Sequence, residues 1–147
     1  MEELEKQAYI FGGILTLANR LQVLGDQLDK QVTLKQWLLV AIIMKMEPSA
    51  PTLSEVASIT GNSRQNVKKM ATILDKQGFV SLVKDDLDAR IVRVHLTAKC
   101  KAYFESRAEK EQRFMSELFD NFDGDLTDGL YQGMMKLAIN VNQMEQK

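Results

Sequence analysis

Between Ser63 and Lys101 the chain carries nine basic residues (Arg64, Lys68, Lys69, Lys76, Lys84, Arg90, Arg93, Lys99, Lys101) against four acidic ones (Asp75, Asp85, Asp86, Asp88), a local charge of +5. Both flanks are acidic, residues 1–62 summing to −2 and 102–147 to −4, so the overall −1 conceals a segregated charge. Ammonium and guanidinium groups displace counterions from phosphate, and clustering them on one segment is what a face that meets a polyanion requires. Ser63, Gln65, Asn66 and Thr72 are interleaved with these cations. Their hydroxyls and amides are the donors and acceptors that pair with base edges. Other chemistries have little to work with. The one cysteine, Cys100, cannot close an internal disulfide, and the one histidine, His95, leaves no set of soft ligands for zinc. With no Gly-rich phosphate loop and no metal-ligand spacing, neither an enzyme nor a cofactor site is expected.

The elements that position these groups follow from periodicity and caps. At 147 residues, 45% of them hydrophobic, the chain is long and apolar enough for one domain with a real core. Residues 3–28 read as a long helix with two apolar rows, one through Leu4, Ala8, Phe11, Leu15 and Ala18, the other through Ile10, Ile14, Leu17, Leu21, Leu24 and Leu28. One row packs a helix on its own domain; two predict a further client, most simply a second subunit. Thr33 and Gln36 have capping-box spacing, so the apolar run from Trp37 to Met44 reads as a buried helix ended by Pro48 and Pro51.

Thr52 and Glu55 repeat the capping-box spacing before a short third helix with Leu53, Val56 and Ala57 on one face and Gly61 as its stop. Asn62 or Ser63 then caps a fourth helix to Gln77, with Gly78 after it. At 100° per residue its buried side is Val67, Met70, Ala71 and Leu74, with Gln65, Lys69, Thr72 and Lys76 opposite. The β-branched runs 79–83 and 91–96 flank a polar tip from Lys84 to Arg90 and read as a hairpin. Thr97 caps a fifth helix whose stripe runs through Cys100, Tyr103, Phe104, Phe114, Leu118 and Phe122. Asn121 to Asp125 breaks it, and Leu130, Met134, Leu137, Ala138 and Val141 mark a sixth. The fold class is therefore mainly α with a small β-hairpin.

This order, together with its local wording, resembles the MarR family of winged-helix transcriptional regulators. Asp88-Ala-Arg-Ile-Val-Arg-Val-His-Leu-Thr97 is similar to the family's wing signature, an Asp and Arg two apart followed by a strand ending in Leu-Thr. Leu53 to Ala57, Gly61 to Ser63 and Gln77 to Val80 sit at spacings similar to its third helix, turn and hairpin start. The resemblance implies a single MarR-type domain over 1–147. Residues 1–32 and 97–147 would form dimerisation helices and 33–96 a DNA-binding lobe, with the helix-turn-helix at 53–77 and the wing at 79–96. It further implies a homodimer on a pseudo-palindromic double-stranded operator, with half-sites roughly 34–36 Å apart, and commonly a repressor released by a small aromatic effector or by cysteine oxidation.

On this reading the DNA-contacting residues are Ser63, Arg64, Gln65, Asn66, Lys68, Lys69, Thr72, Lys76, Lys84, Asp88 and Arg90. Phe11 and Trp37, with Tyr9, are candidates for an effector cavity, and Cys100 for a redox sensor. Each has a plainer alternative: a solvated helical face, an Asp–Arg surface pair, ordinary aromatic core, and an inert thiol in phase with Tyr103 and Phe104. The resemblance departs from the family at Cys100, where a Gly is usual after Leu-Thr, and in a wing with three acids against Arg90, which weakens its grip on phosphate unless Asp88 mainly orients Arg90. A winged-helix module for protein contacts, or a relative that has lost DNA binding, is the rival reading. The acidic start and the interrupted apolar stretch from Ile10 to Leu17 predict no membrane span and a cytoplasmic protein.

Overall fold

The computed structural model describes residues 2–147 and divides them into two compact units, residues up to Ser106 and residues from Arg107. The first unit holds α1 (Glu3–Leu28), α2 (Leu34–Met46), α3 (Leu53–Thr60), α4 (Arg64–Lys76), the strands β1 (Val80–Lys84) and β2 (Val92–Leu96), and α5 (Ala98–Ser106). The second holds α6 (Ala108–Leu118) and α7 (Gly124–Glu145).

Local chemistry explains the helix starts. Thr33 Oγ1 accepts the Gln36 N–H at 3.2 Å while Gln36 Oε1 accepts the Thr33 N–H at 3.0 Å, a complete reciprocal box before α2. At α3 only half of the expected box forms. Thr52 Oγ1 accepts the Glu55 N–H at 3.0 Å, but the Thr52 backbone is engaged elsewhere, in an isolated antiparallel bridge with Arg93. Ser63, rather than Asn62, caps α4, its Oγ taking the Asn66 N–H at 3.1 Å. Gly61 ends α3 at φ +74, a left-handed conformation that glycine adopts without strain.

β1 and β2 pair antiparallel in the register Val80↔Leu96 through Lys84↔Val92. The hairpin is tied to the helical part by main chain, the Val94 N–H donating to Pro51 O at 2.9 Å. One core serves the first unit: Val32, Leu39, Val40 and Ile43 meet Leu53, Val56 and Ala57, then Val67, Ala71 and Leu74, and beyond them Phe79, Val80, Val94, Cys100 and Phe104. The core therefore runs past residue 96, because α5 contributes Cys100 and Phe104 to it.

The fifth helix expected from the sequence is two helices, broken at Arg107. No Gly or Pro marks the place. Ser106 Oγ donates to Tyr103 O at 2.5 Å, a side-chain bond that competes with the helical ladder at that turn. In the second unit Asn121 takes φ +63 and Asp123 Oδ1 caps α7 by accepting the Leu126 N–H at 2.8 Å, where the sequence places the break.

Two apolar surfaces stay uncovered. On α1 only Gly25 is buried, while Leu4, Tyr9, Ile10, Phe11, Leu15 and Leu24 are exposed. On α7 no residue is buried, and Leu130, Met134, Leu137 and Val141 are exposed. Among the described residues no helix is long and apolar enough to cross a membrane.

Candidate nucleic-acid interface

Helix α4 separates its two chemistries cleanly. Val67, Ala71 and Leu74 are buried, and Met70 packs partly against the same core. Ser63, Arg64, Gln65, Asn66, Lys68, Lys69 and Lys76 are exposed, and Thr72 is half-buried. All the α4 residues proposed from sequence thus lie off the buried row. Two of them are partly committed within the helix: Ser63 Oγ to the cap, and the Thr72 hydroxyl, which donates to Lys68 O at 2.8 Å. Lys76 sits in the last turn, where its charge also favours the negative end of the helix dipole.

The hairpin lies beside the start of α4. Arg64 lines a cleft of about 170 Å³ together with Thr52, Leu53 and Ser54 from α3 and its cap, Ile91 just before β2 and Val92 at its start. Lys84 ends β1, exposed. At the tip, Asp88 grips Arg90 in a two-pronged pair, Nε to Oδ1 and Nη2 to Oδ2, each at 3.1 Å, and Asp88 Oδ1 also accepts the Arg90 N–H at 3.0 Å. The Arg90 side chain is still 90% exposed, so the carboxylate sets the direction of the guanidinium without hiding it.

The other acids of the wing are accounted for in part by a residue that sequence reasoning counted only as one of nine cations. Arg93 Nε donates to Asp85 Oδ1 at 2.7 Å and Nη1 to Ala50 O at 2.8 Å, tying the wing loop to the segment before α3. Asp85 Oδ2 in turn accepts the N–H groups of Leu87 and Asp88 at 3.1 and 3.2 Å. The chain of contacts therefore reaches from Ala50 through Arg93 and Asp85 to the turn that carries Arg90. The Arg93 guanidinium holds the Asp85 carboxyl below the usual carboxylate range, and Arg90 does the same for Asp88. Both acids stay ionised, and paired, at neutral pH.

Two further anchors escaped the sequence reading. Lys99 Nζ donates to Gln77 O at 2.8 Å at the C-terminal end of α4 and lies 5.6 Å from the Phe79 ring centroid. Gln77 Nε2 donates to Gln31 O at 2.8 Å, fastening the same end to the loop between α1 and α2. Both contacts span long sequence separations. No local sequence signal marks either contact; only Gln77 adjoins Gly78, a left-handed turn at φ +81.

The remaining candidates fall elsewhere. Phe11 and Tyr9 stand exposed on α1, and Trp37 packs partly against the core from α2. Cys100 is fully buried, and burial pushes its thiol up to about 11. The thiolate is the reactive form, so native protein at pH 8 is expected to resist iodoacetamide and peroxide at Cys100 and to react only on unfolding. Mass spectrometry of the alkylated protein checks this. Rapid native labelling would restore the redox role. Among the described residues no group of three or more His, Cys, Asp or Glu side chains is placed to hold a metal ion.

No protein-family model matches the chain. It is 28% identical over 93 residues to the transcriptional repressor MprA of Escherichia coli (strain K12), a match that covers 63% of this chain and about half, 53%, of that protein. The MarR protein from Peptoclostridium difficile DA00132 superposes with a TM-score of 0.82 at 22% identity, over 92% of this chain and 89% of that one. The S. aureus MepR–DNA complex gives 0.78 at 14% identity, over 92% and 97%. The fold is that of the MarR-type winged-helix regulators.

Proposed function

We propose that this chain is a MarR-family transcriptional regulator, a repressor of the MprA kind, that binds double-stranded DNA as a homodimer. Helix α4 would enter the major groove and the hairpin tip the adjacent minor groove. The observation that carries the reading is the pairing of an exposed polar and cationic face on a core-seated helix with an outward Arg90 held by Asp88. Recognition-helix residues near the N-terminus reach deepest into a groove, which assigns base edges to Ser63, Gln65, Asn66 and Lys69 and phosphates to Arg64, Lys68, Lys76 and Lys84.

The exposed apolar rows on α1 and on α7 support a second copy of the chain as the partner of each. A pseudo-palindromic operator is the DNA counterpart of that two-fold pairing. Phe11, with Trp37, supplies aromatic surface for a small aromatic effector that releases the operator. The reading places the protein with the chromosome in the cytoplasm and assigns it no catalytic step.

The test is retention of the purified protein on duplex DNA as salt is raised. Log K is expected to fall linearly with log salt, and Lys69→Ala to weaken binding by about 1–3 kcal/mol if Lys69 reads a base, or to reduce the slope by about 1 if it meets phosphate. A protein interaction module would show neither a slope nor an effect of Lys69→Ala.

A further inference from the structure

Leu87 stands at the tip of the wing and is 97% exposed, more than any other large apolar side chain among the described residues. The loop that presents it is built rather than slack. Its N–H and that of Asp88 both donate to Asp85 Oδ2, Asp85 N–H donates to Ile91 O at 2.8 Å, and Ile91 N–H donates to Asp88 O at 3.0 Å. Arg93 pins the other Asp85 oxygen. These bonds define the turn from which Leu87 projects.

The charges around it cancel within the finger. Asp85 is paired with Arg93 and Asp88 with Arg90, which leaves Lys84 and Asp86, one of each sign. With no net positive charge, the finger draws little on long-range attraction to the duplex, and its counterion release is confined to the outward Arg90. Its hold on a groove must come from the directed guanidinium and from shape. The minor groove offers apolar deoxyribose walls, and leucine is among the side chains that minor-groove proteins press against base steps.

We propose that Leu87 is a DNA-contacting residue that enters the minor groove beside Arg90, packs on the sugar walls and base edges, and so sets sequence preference at the outer flanks of the operator through groove shape. The inference rests on the duplex-binding reading and deepens it. The occupant is DNA because the same rigid tip carries Arg90, whose 90% exposed guanidinium points a cation out of the same turn.

The experiment selects bound sequences from a random duplex library with the wild type, then measures their affinity for wild type, Leu87→Ala and Arg90→Ala over a range of salt. Leu87→Ala is expected to bind about tenfold more weakly, the loss from uncovering part of a leucine side chain, with the same salt slope as the wild type and a flattened preference at the outer positions. Arg90→Ala is the electrostatic reference, expected to change the slope. Leu87 lies outside the core, and circular dichroism verifies that the variant is folded. Unchanged affinity and flank preference in Leu87→Ala, or a loss accompanied by the Arg90→Ala slope change, overturns the proposal while leaving duplex binding intact. Failure of the wild type to select any duplex overturns the underlying reading instead.

Discussion

Leu74→Ala is expected to lower the unfolding free energy by about 2–5 kcal/mol, the range for removing most of a fully buried leucine and leaving a cavity. Leu74 is 0% exposed and lies on the face of α4 that Val67 and Ala71 also bury. Its side chain seats the last turn of the helix whose opposite face carries Lys68 and Lys69, so the loss is felt twice. Stability falls, and the direction in which the exposed face points is less sharply held. Urea unfolding checks the first effect, with the midpoint moving and the slope m unchanged if the fold is otherwise kept. Duplex affinity measured well below the midpoint checks the second. Lys68→Ala, an exposed change on the same helix, should stay within about 0.5 kcal/mol in stability. A cost below about 1 kcal/mol for Leu74→Ala would mean that the pocket collapses around the alanine, and that α4 is seated mainly by its ends.

Those ends are where the sequence was read only in part. The start was legible to within one residue because capping is local: Asn62 and Ser63 are both candidates from sequence, and the structure gives the cap to Ser63, whose Oγ takes the Asn66 N–H three residues on. The buried row Val67, Ala71, Leu74 was legible for the same reason, since helical periodicity is set by neighbours along the chain. The C-terminal end was not. Lys99 reaches Gln77 across 22 positions and Gln77 reaches Gln31 across 46, and no local pattern encodes either contact. Arg93 was hidden in the same way. Within Val92–Leu96 it reads as the outward residue of a strand, and only the folded chain brings Ala50 and Asp85 to its guanidinium. The break at Arg107 has no Gly, Pro or change of periodicity to announce it; the hydroxyl bond from Ser106 to Tyr103 O at that turn becomes visible only in the folded chain.

The acidity of the wing is the point at which sequence and structure argue in opposite directions, and Arg90 decides between them. By composition, three aspartates beside one arginine should repel phosphate. In the folded wing, Asp88 spends its charge on orienting Arg90 and Asp85 spends its charge on Arg93. Arg90→Ala is therefore expected to cost about 1–3 kcal/mol of duplex affinity, roughly five- to 150-fold, and to reduce the slope of log K against log salt by about 1. Asp88→Asn supplies the sign that composition alone gets wrong. Removing a carboxylate near DNA should strengthen binding if Asp88 merely repels phosphate, and should weaken it if the carboxylate aims the guanidinium. We expect weakening. Because the Asp88 carboxyl is held below its ordinary value by Arg90, the ion pair persists as pH falls from 8 to about 5, still above the ordinary aspartate value of about 3.9, and comes apart only as pH drops through the lowered value. The Arg90-dependent part of the affinity should therefore be flat over that window. A tighter-binding Asp88→Asn protein would show that the wing carries its acids at a cost, and would remove the oriented cation from the interface.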